Sequence, residues 1–425
     1  MATQVVRDAV HGLIPLDEPE WLVPLINARE FQRLRRVSQL GTSSVTYPGA
    51  THSRFSHSLG VMWLFRRVAQ HFQNVGQPLD ADELQVGICA ALLHDVGHAP
   101  FSHALEQALG TGDHEEWTRR IVRSSDTQVH QVLRTIDRAM PQRVEEVIAG
   151  TSPLRRVVGL ISSQLDVDRM DYLLRDSLYA GVGYGRYDLE RVIFSLSGFD
   201  PDGMAFLSRK AVPLAEQYVV ARYHMYWQVY FHKTTRCAER MLVNCLRLAH
   251  RCGVLPKALA ALAAKDAPVN ALMDVDESDI THALKEWATQ SDCPTLRMLA
   301  GGVLWRELFK AVCVTEPEGD VDARVFDRLI RQGTIADVVQ GKGFDPEFCL
   351  IVDKASDLPY GHYYLARDES AADKPPILVE SGHDRQIPLE RVSPLVRQLG
   401  ERVVRGVIYV PAECVDAVRR VVSAA

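Results

Sequence analysis

Apolar residues recur at three- and four-residue spacing along most of this chain and alternate with polar ones mainly near its ends. The opening run QVVRDAVHGLIPL alternates in places and contains a His-Gly turn, which predicts a short hairpin. From Glu18 the pattern becomes helical: Trp21, Leu22, Leu25 and Ile26 form one stripe, and Phe31, Leu34 and Val37 a second. After the connection Tyr47–Ala50, helices are expected at about 56–72 and about 80–98; the second stops before Pro100, which cannot continue the ladder. Further helices are expected at about 103–109, 113–123, 128–138, 154–178, 188–196, 211–250, 278–289 and 294–312, with a linker and one short helix over 253–277. Beyond Gly341 the texture changes to the β-rich runs FCLIV, PPILVE and GVIYV around a polar segment, Ala366–Lys374, before a last helix near 413–422. The expectation is a mainly α chain: a large body over 1–250, a helical extension over 251–340 and a smaller α+β C-terminal region over 341–425.

Composition adds only bounds. With 425 residues, 47% hydrophobic and 24% charged, the chain reads as an ordinary globular protein with a sizeable core. Apolar stretches such as Val86–Leu93 stay under about ten residues, too short to span a bilayer, and MATQVVRDAV lacks the pattern of a secretory signal, so a cytoplasmic location is expected. The eight cysteines include no C-x-x-C pair, which fits reduced thiols and argues against a zinc ribbon. A net charge of -6 leaves no basic footprint for nucleic acid.

Histidine changes the picture. Seven of the fifteen histidines (His52, His57, His71, His94, His98, His103 and His114) fall within residues 52–114, around the phrase HDVGHAPFSHALE. A His-Asp dipeptide alone means little, since His383-Asp384 repeats it among no other candidate ligands. His94-Asp95 ends a strongly apolar helix, where an imidazole and a carboxylate are costly to bury unpartnered. A divalent cation is such a partner, and this donor set suits Mn, Fe, Zn or Ni. Consecutive helical residues point about 100° apart, so further ligands must come from other helices. The best sources are His57 in SRFSHSLGV and Asp168 in QLDVDRMDYLLRD. Two histidines and two carboxylates leave positions open for water and phosphate oxygen, as in a catalytic site.

The ordered segments QLGTSSVTYPGATHSRFSHSLGV, LLHDVGHAPFSHALE, His114-Glu115 and DVDRMDYLLRDSLYAGV resemble the HD-domain phosphohydrolases, and within them the deoxynucleoside triphosphate (dNTP) triphosphohydrolases. The resemblance covers roughly residues 4–250 and implies an HD-domain helical core. HDVGH departs from the HD-x-x-ED of guanosine polyphosphate hydrolases, and the Gly-Tyr-Pro signature of cyclic-dinucleotide phosphodiesterases is absent. By position, the resemblance implies metal ligands His57, His94, Asp95 and Asp168. It implies His103 as the acid that protonates the leaving 5′ oxygen, oriented by Glu106, with His98 and His114 facing the triphosphate and Glu115 in support. Tyr172 and Asp176 are implied at the sugar and Gln39 at its 3′-hydroxyl. Arg54 and Arg169 are natural phosphate clamps, because a guanidinium pairs bidentately with phosphate oxygens.

The aromatic stretch Gln217–Lys233 reads either as a pocket wall with a subunit interface or as a core helix. His11, His71, His130, His250, His282 and His362 have no motif partner and read as structural. In regulated members of the family a nucleotide sits near the N-terminus and promotes tetramer formation; the matching positions here include Val5, Asn27, Gln32 and Arg35. Asn27 stands where a guanine-reading aspartate is expected, and Gln4 where a lysine is expected. An amide cannot copy a carboxylate that accepts from two N–H groups, so activation is either absent or uses a nucleotide other than guanine.

The expected activity is therefore metal-dependent hydrolysis of dNTPs to deoxynucleoside and triphosphate, with Mg²⁺ accompanying the nucleotide, in a homo-oligomer. The alternatives are an HD-type phosphohydrolase acting on another nucleotide, such as a 5′-monophosphate, or a nucleotide- or nucleic-acid-binding regulator on the same scaffold.

Overall fold

The computed structural model describes residues 4–315, 322–357, 375–382, 385–399 and 403–424. The segment Ala366–Lys374, His362 and the second His-Asp pair, His383-Asp384, lie outside the described residues. The fold is mainly α, as the periodicity predicts. The predicted hairpin is β1 (Val5–Asp8) paired antiparallel with β2 (Gly12–Pro15). The longest helix, Arg54–Asn74, buries Phe55, Leu59, Met62, Phe65 and Phe72. Against it packs Ala81–Leu93, whose start is fixed by a capping box in which Asp80 accepts from the Glu83 N–H and Glu83 accepts from the Asp80 N–H. The helix Val167–Ala180 crosses the same core, capped by Asp166 and ended by Gly181 in the left-handed region.

Two long stretches expected as single helices are broken, and in each a side chain competes for backbone hydrogen bonds. The 154–178 stretch divides into Arg155–Ile161 and Val167–Ala180, because the Asp166 carboxylate accepts from the Ser163 and Arg169 N–H groups and starts a new helix. The 211–250 stretch divides into Val212–Met225, a π-helical turn Tyr226–Tyr230, and Lys233–Arg251, which His232 caps. The helix expected to reach residue 98 ends at Leu93, and residues 94–97 form a turn. The helix expected over 294–312 ends at Leu304 and gives way to a strand, and the 253–277 linker holds two short helices, Lys257–Leu262 and Val269–Met273.

The remaining strands tie the far end of the chain to the helical body. β3 (Leu196–Phe199), β4 (Ala205–Leu207), β5 (Lys310–Val314), β6 (Ile351–Asp357), β7 (Leu378–Ser381), β8 (Arg385–Pro388) and β9 (Val403–Val410) make two sheets. In one, ordered β3-β4-β7-β8, β7 runs parallel to β4 and so completes a sheet begun within the first 250 residues. In the other, β9 lies between β5 and β6, antiparallel to both. The last helix is Val415–Ser423.

Candidate metal centre and substrate cavity

Three helices bring the predicted ligands together. His57, on Arg54–Asn74, is 1% exposed, and its Nε2 lies 3.1 Å from Asp168 Oδ1 on Val167–Ala180. His94 stands where Ala81–Leu93 ends, and its Nδ1 donates to Ala91 O at 2.9 Å. That bond commits the proton to Nδ1 and leaves the Nε2 lone pair facing Asp95 Oδ1 at 3.4 Å and Asp168 Oδ1 at 3.7 Å. This Nε2 is buried and has no hydrogen-bond partner. Donor atoms of His57, His94 and Asp168 all lie within 4.8 Å of one another, so the residues present fit a divalent cation in both donor chemistry and convergence. Asp95 flanks the same space: its Oδ2 accepts from Arg54 Nη1 at 2.5 Å, and its Oδ1 lies 3.4 Å from His94 Nε2 and 3.3 Å from His98 Nε2.

The electrostatics agree. Burial pushes the His57 imidazole down, yet Asp168 and Asp171 outweigh it and hold it up at about 10. Burial pushes Asp168 up, and His57 and His94 outweigh that, holding its carboxyl below the usual range. The pocket therefore favours positive charge at its centre.

The HDVGH turn owes its shape to contacts at its back. Gly97 presses on the helix His114–Arg123, where a Cβ would come within 2.2 Å of Thr118 N and 2.4 Å of His114 O. Thr118 Oγ1 accepts from Gly97 N–H and donates to His94 O. From the other side Arg33, fully buried, donates through Nη2 to Val96 O and His98 O at 3.1 and 2.6 Å. Sequence reasoning missed Arg33, because nothing in NAREFQRLRR separates it from its exposed neighbours Arg35 and Arg36.

Beyond the turn, His98 and His114 stack with centroids 3.9 Å apart and planes at 11°. Glu106 faces both His103 Nδ1, at 3.2 Å, and His114 Nδ1, at 3.4 Å. Burial raises the Glu106 carboxyl, but the two imidazoles outweigh it and hold it below the usual range. Phe101 and Ser102, with φ of 52° and 38°, turn the chain so that His103 starts the next helix with its side chain 69% exposed. Positive φ at such residues costs about 1–3 kcal/mol each, strain that collects at functional sites. Glu115 lies on the exposed side of its helix, away from these contacts.

A cavity of about 350 Å³ opens beside the cluster, lined by Gln39, Arg54, Ser102, His103, Tyr226 and Tyr230 among others. Gln39 Oε1 is buried without a partner, as is Arg54 Nε. Arg54 is pinned by Asp95 and by Ser102 Oγ at 3.0 Å. Asp176 sits beneath the cavity, accepting from His52 Nε2 at 2.8 Å and Tyr230 OH at 2.7 Å, and Tyr172 meets Tyr230 edge to face. Arg169 Nη1 donates to Ser163 O and Asp166 Oδ2 at its own helix start, while its Nε is buried without a hydrogen-bond partner. The aromatic stretch serves two roles, with Tyr218 in the core and Tyr226, Tyr230 and Phe231 on the cavity wall. Of the N-terminal set, Arg35 Nε donates to Gln32 Oε1 at 2.8 Å and stacks over Phe55, while Asn27 and Val5 are exposed.

The sequence reading also missed the carboxylate behind His57. Asp171 Oδ2 accepts from His57 Nδ1 at 2.8 Å and Oδ1 from His11 Nε2 at 2.6 Å. Its signal is the spacing Asp168-x-x-Asp171, which puts both carboxylates on one helix face. Among the described residues no helix is long and apolar enough to cross a membrane.

Comparison with known proteins matches the HD domain model to residues 54–176 and the HD associated region model to residues 187–353. The uncharacterised protein YwfO of Bacillus subtilis is 37% identical over 423 residues, 97% of this chain and 93% of its own length. The SAMHD1 homolog of Dictyostelium discoideum, named a deoxynucleoside triphosphate triphosphohydrolase, is 30% identical over 257 residues; the match covers 57% of this chain and 49% of that one. Thus the chain spans about half of that relative. A phosphohydrolase from Bacteroides thetaiotaomicron superposes with a TM-score of 0.79 at 27% identity, covering 96% of this chain and 99% of the other. A hypothetical protein from Aquifex aeolicus, at 24% identity and a TM-score of 0.77, shares the fold over 98% of this chain and 99% of that one.

Proposed function

This chain belongs to the HD-domain phosphohydrolase family, and from that premise we propose that it hydrolyses dNTPs to deoxynucleoside and triphosphate. The observation that carries the reading is the buried, unpartnered His94 Nε2, set between Asp95 and Asp168 beside a cavity with polar groups on its wall. His57, His94, Asp95 and Asp168 would hold a divalent transition metal, which supplies neutralisation of phosphate charge and a nucleophile at neutral pH. Arg54, anchored by Asp95 and Ser102, presents its unpartnered Nε to a phosphate oxygen. His98 and His114 line the path of the distal phosphates. Water oxygen adds to the α-phosphorus as one of its protons passes to solvent, the P–O5′ bond breaks, and His103 gives the leaving 5′ oxygen its proton and is reprotonated from solvent. Glu106, accepting from His103 Nδ1, orients the ring so that Nε2 carries the transferable proton. Gln39 offers an amide to the sugar, and Tyr230, held by Asp176, forms the wall beneath it.

Support for dNTPs over other phosphate esters comes from the named relatives and from the HDVGH context. Product analysis on a panel of dNTPs, NTPs and dNMPs tests it. Inorganic triphosphate with free deoxynucleoside is the expected outcome; orthophosphate as the sole phosphate product contradicts it.

A further inference from the structure

We propose that the N-terminal hairpin is a positioning element of the metal centre, acting through His11 and Asp8 on Asp171 and thereby on the His57 ring. The inference rests on the metal-centre reading above and extends it to residues that contact no substrate. Asp171 is fully buried and receives four hydrogen bonds: His11 Nε2 at 2.6 Å and Arg175 Nη2 at 2.9 Å on Oδ1, and His57 Nδ1 at 2.8 Å and Arg175 Nε at 2.7 Å on Oδ2. A carboxylate offers about four acceptor sites, so this one is saturated and cannot turn without losing a partner. Its orientation fixes the plane of the His57 imidazole and keeps the proton on Nδ1, which leaves Nε2 as the ligand.

The hairpin holds this arrangement from outside the helical body. His11 and Asp171 are 160 residues apart in sequence, and both side chains are at most 1% exposed. Arg175 has a second edge, donating to Asp8 Oδ2 at 2.8 Å and Oδ1 at 3.1 Å, so one guanidinium is clamped between two carboxylates. Asp8 Oδ1 also accepts from the backbone N–H groups of Val10 and His11, at 2.9 Å each. The residue that anchors Arg175 therefore also shapes the turn that delivers His11. Gly60 on the facing helix leaves the room required: a Cβ there would fall 1.9 Å from Asp171 Oδ1 and 2.5 Å from Arg175 Nη2.

If the hairpin only stabilised the fold, removing its donor would lower the unfolding temperature and leave the metal affinity of the folded protein unchanged. The test compares full-length His11→Phe, which fills the space without a donor, with His11→Gln, which restores an N–H. Mn²⁺ affinity is read by dialysis against a chelator, the ligand field by electron paramagnetic resonance, and folding by circular dichroism. His11→Phe is expected to bind Mn²⁺ roughly tenfold more weakly with an altered spectrum, and His11→Gln to recover within about threefold, by the usual size of outer-shell effects. Should His11→Phe fail to fold, Asp8→Asn, which keeps the turn-capping oxygen but weakens the hold on Arg175, is read in the same way. Wild-type affinity and spectrum in the folded donor-deleted variant overturn the hairpin's role alone. A wild-type protein that binds no Mn²⁺ overturns the metal centre, and the hairpin's role with it.

Discussion

At His94 a single backbone carbonyl settles the chemistry, because accepting from Nδ1 leaves Nε2 as the atom that faces Asp95 and Asp168. The same logic recurs at His57, where Asp171 takes the Nδ1 proton. His103 differs from both: it is exposed and bonded to Glu106 through Nδ1, and in the proposed reaction it delivers a proton. His103→Ala is therefore expected to lower kcat by about 10²–10⁴-fold, the usual worth of a positioned acid, with bound metal unchanged. A p-nitrophenyl ester, whose leaving group needs no proton, should lose far less. Equal losses on the two substrates would remove His103 from the acid's role.

Among the elements, helices with strong periodicity were legible in the sequence, and so was the grouping of His57, His94 and Asp168, whose donor atoms lie within 4.8 Å of one another. What stayed hidden depends on contacts distant in sequence or on local competition. His11 has no motif partner within its own segment, yet it bonds Asp171. The 154–178 stretch has an unbroken apolar pattern, yet Asp166 offers its backbone a better start. β4 and β7 are joined by a pairing that no local pattern announces. Asp80 caps Ala81–Leu93, the helix that aims His94. Asp80→Ala is expected to cost about 1 kcal/mol, read as a lower urea midpoint at constant m-value. A change below roughly 0.3 kcal/mol would mean that the helix is held by packing alone.

Across the whole molecule, a buried carboxylate ties the C-terminal region to the cavity wall. Asp353, on β6 and 2% exposed, accepts from Arg236 Nε and Nη2 at 2.9 and 2.7 Å and from Arg240 Nε at 2.7 Å, and Arg236 lines the cavity. Burial raises the Asp353 carboxyl, and the two guanidinium groups outweigh it, holding it below the usual range. A depressed carboxyl contributes stability above its unfolded value of about 3.9 and loses it as pH falls through the lower folded value. Asp353→Asn should thus cost about 3 kcal/mol at neutral pH, with the deficit shrinking below about pH 4, as followed by urea unfolding. A pH-independent deficit would point to packing instead. In the proposed function one metal centre, built by His57, His94, Asp95 and Asp168, performs the hydrolysis. Its most direct test is triphosphate release measured against bound metal per chain, for the wild type and for Asp168→Ala. Release should rise in proportion to metal up to about one ion per chain, and both quantities should collapse together in Asp168→Ala. Undiminished release from metal-stripped protein, or from Asp168→Ala, would mean that hydrolysis does not depend on this centre.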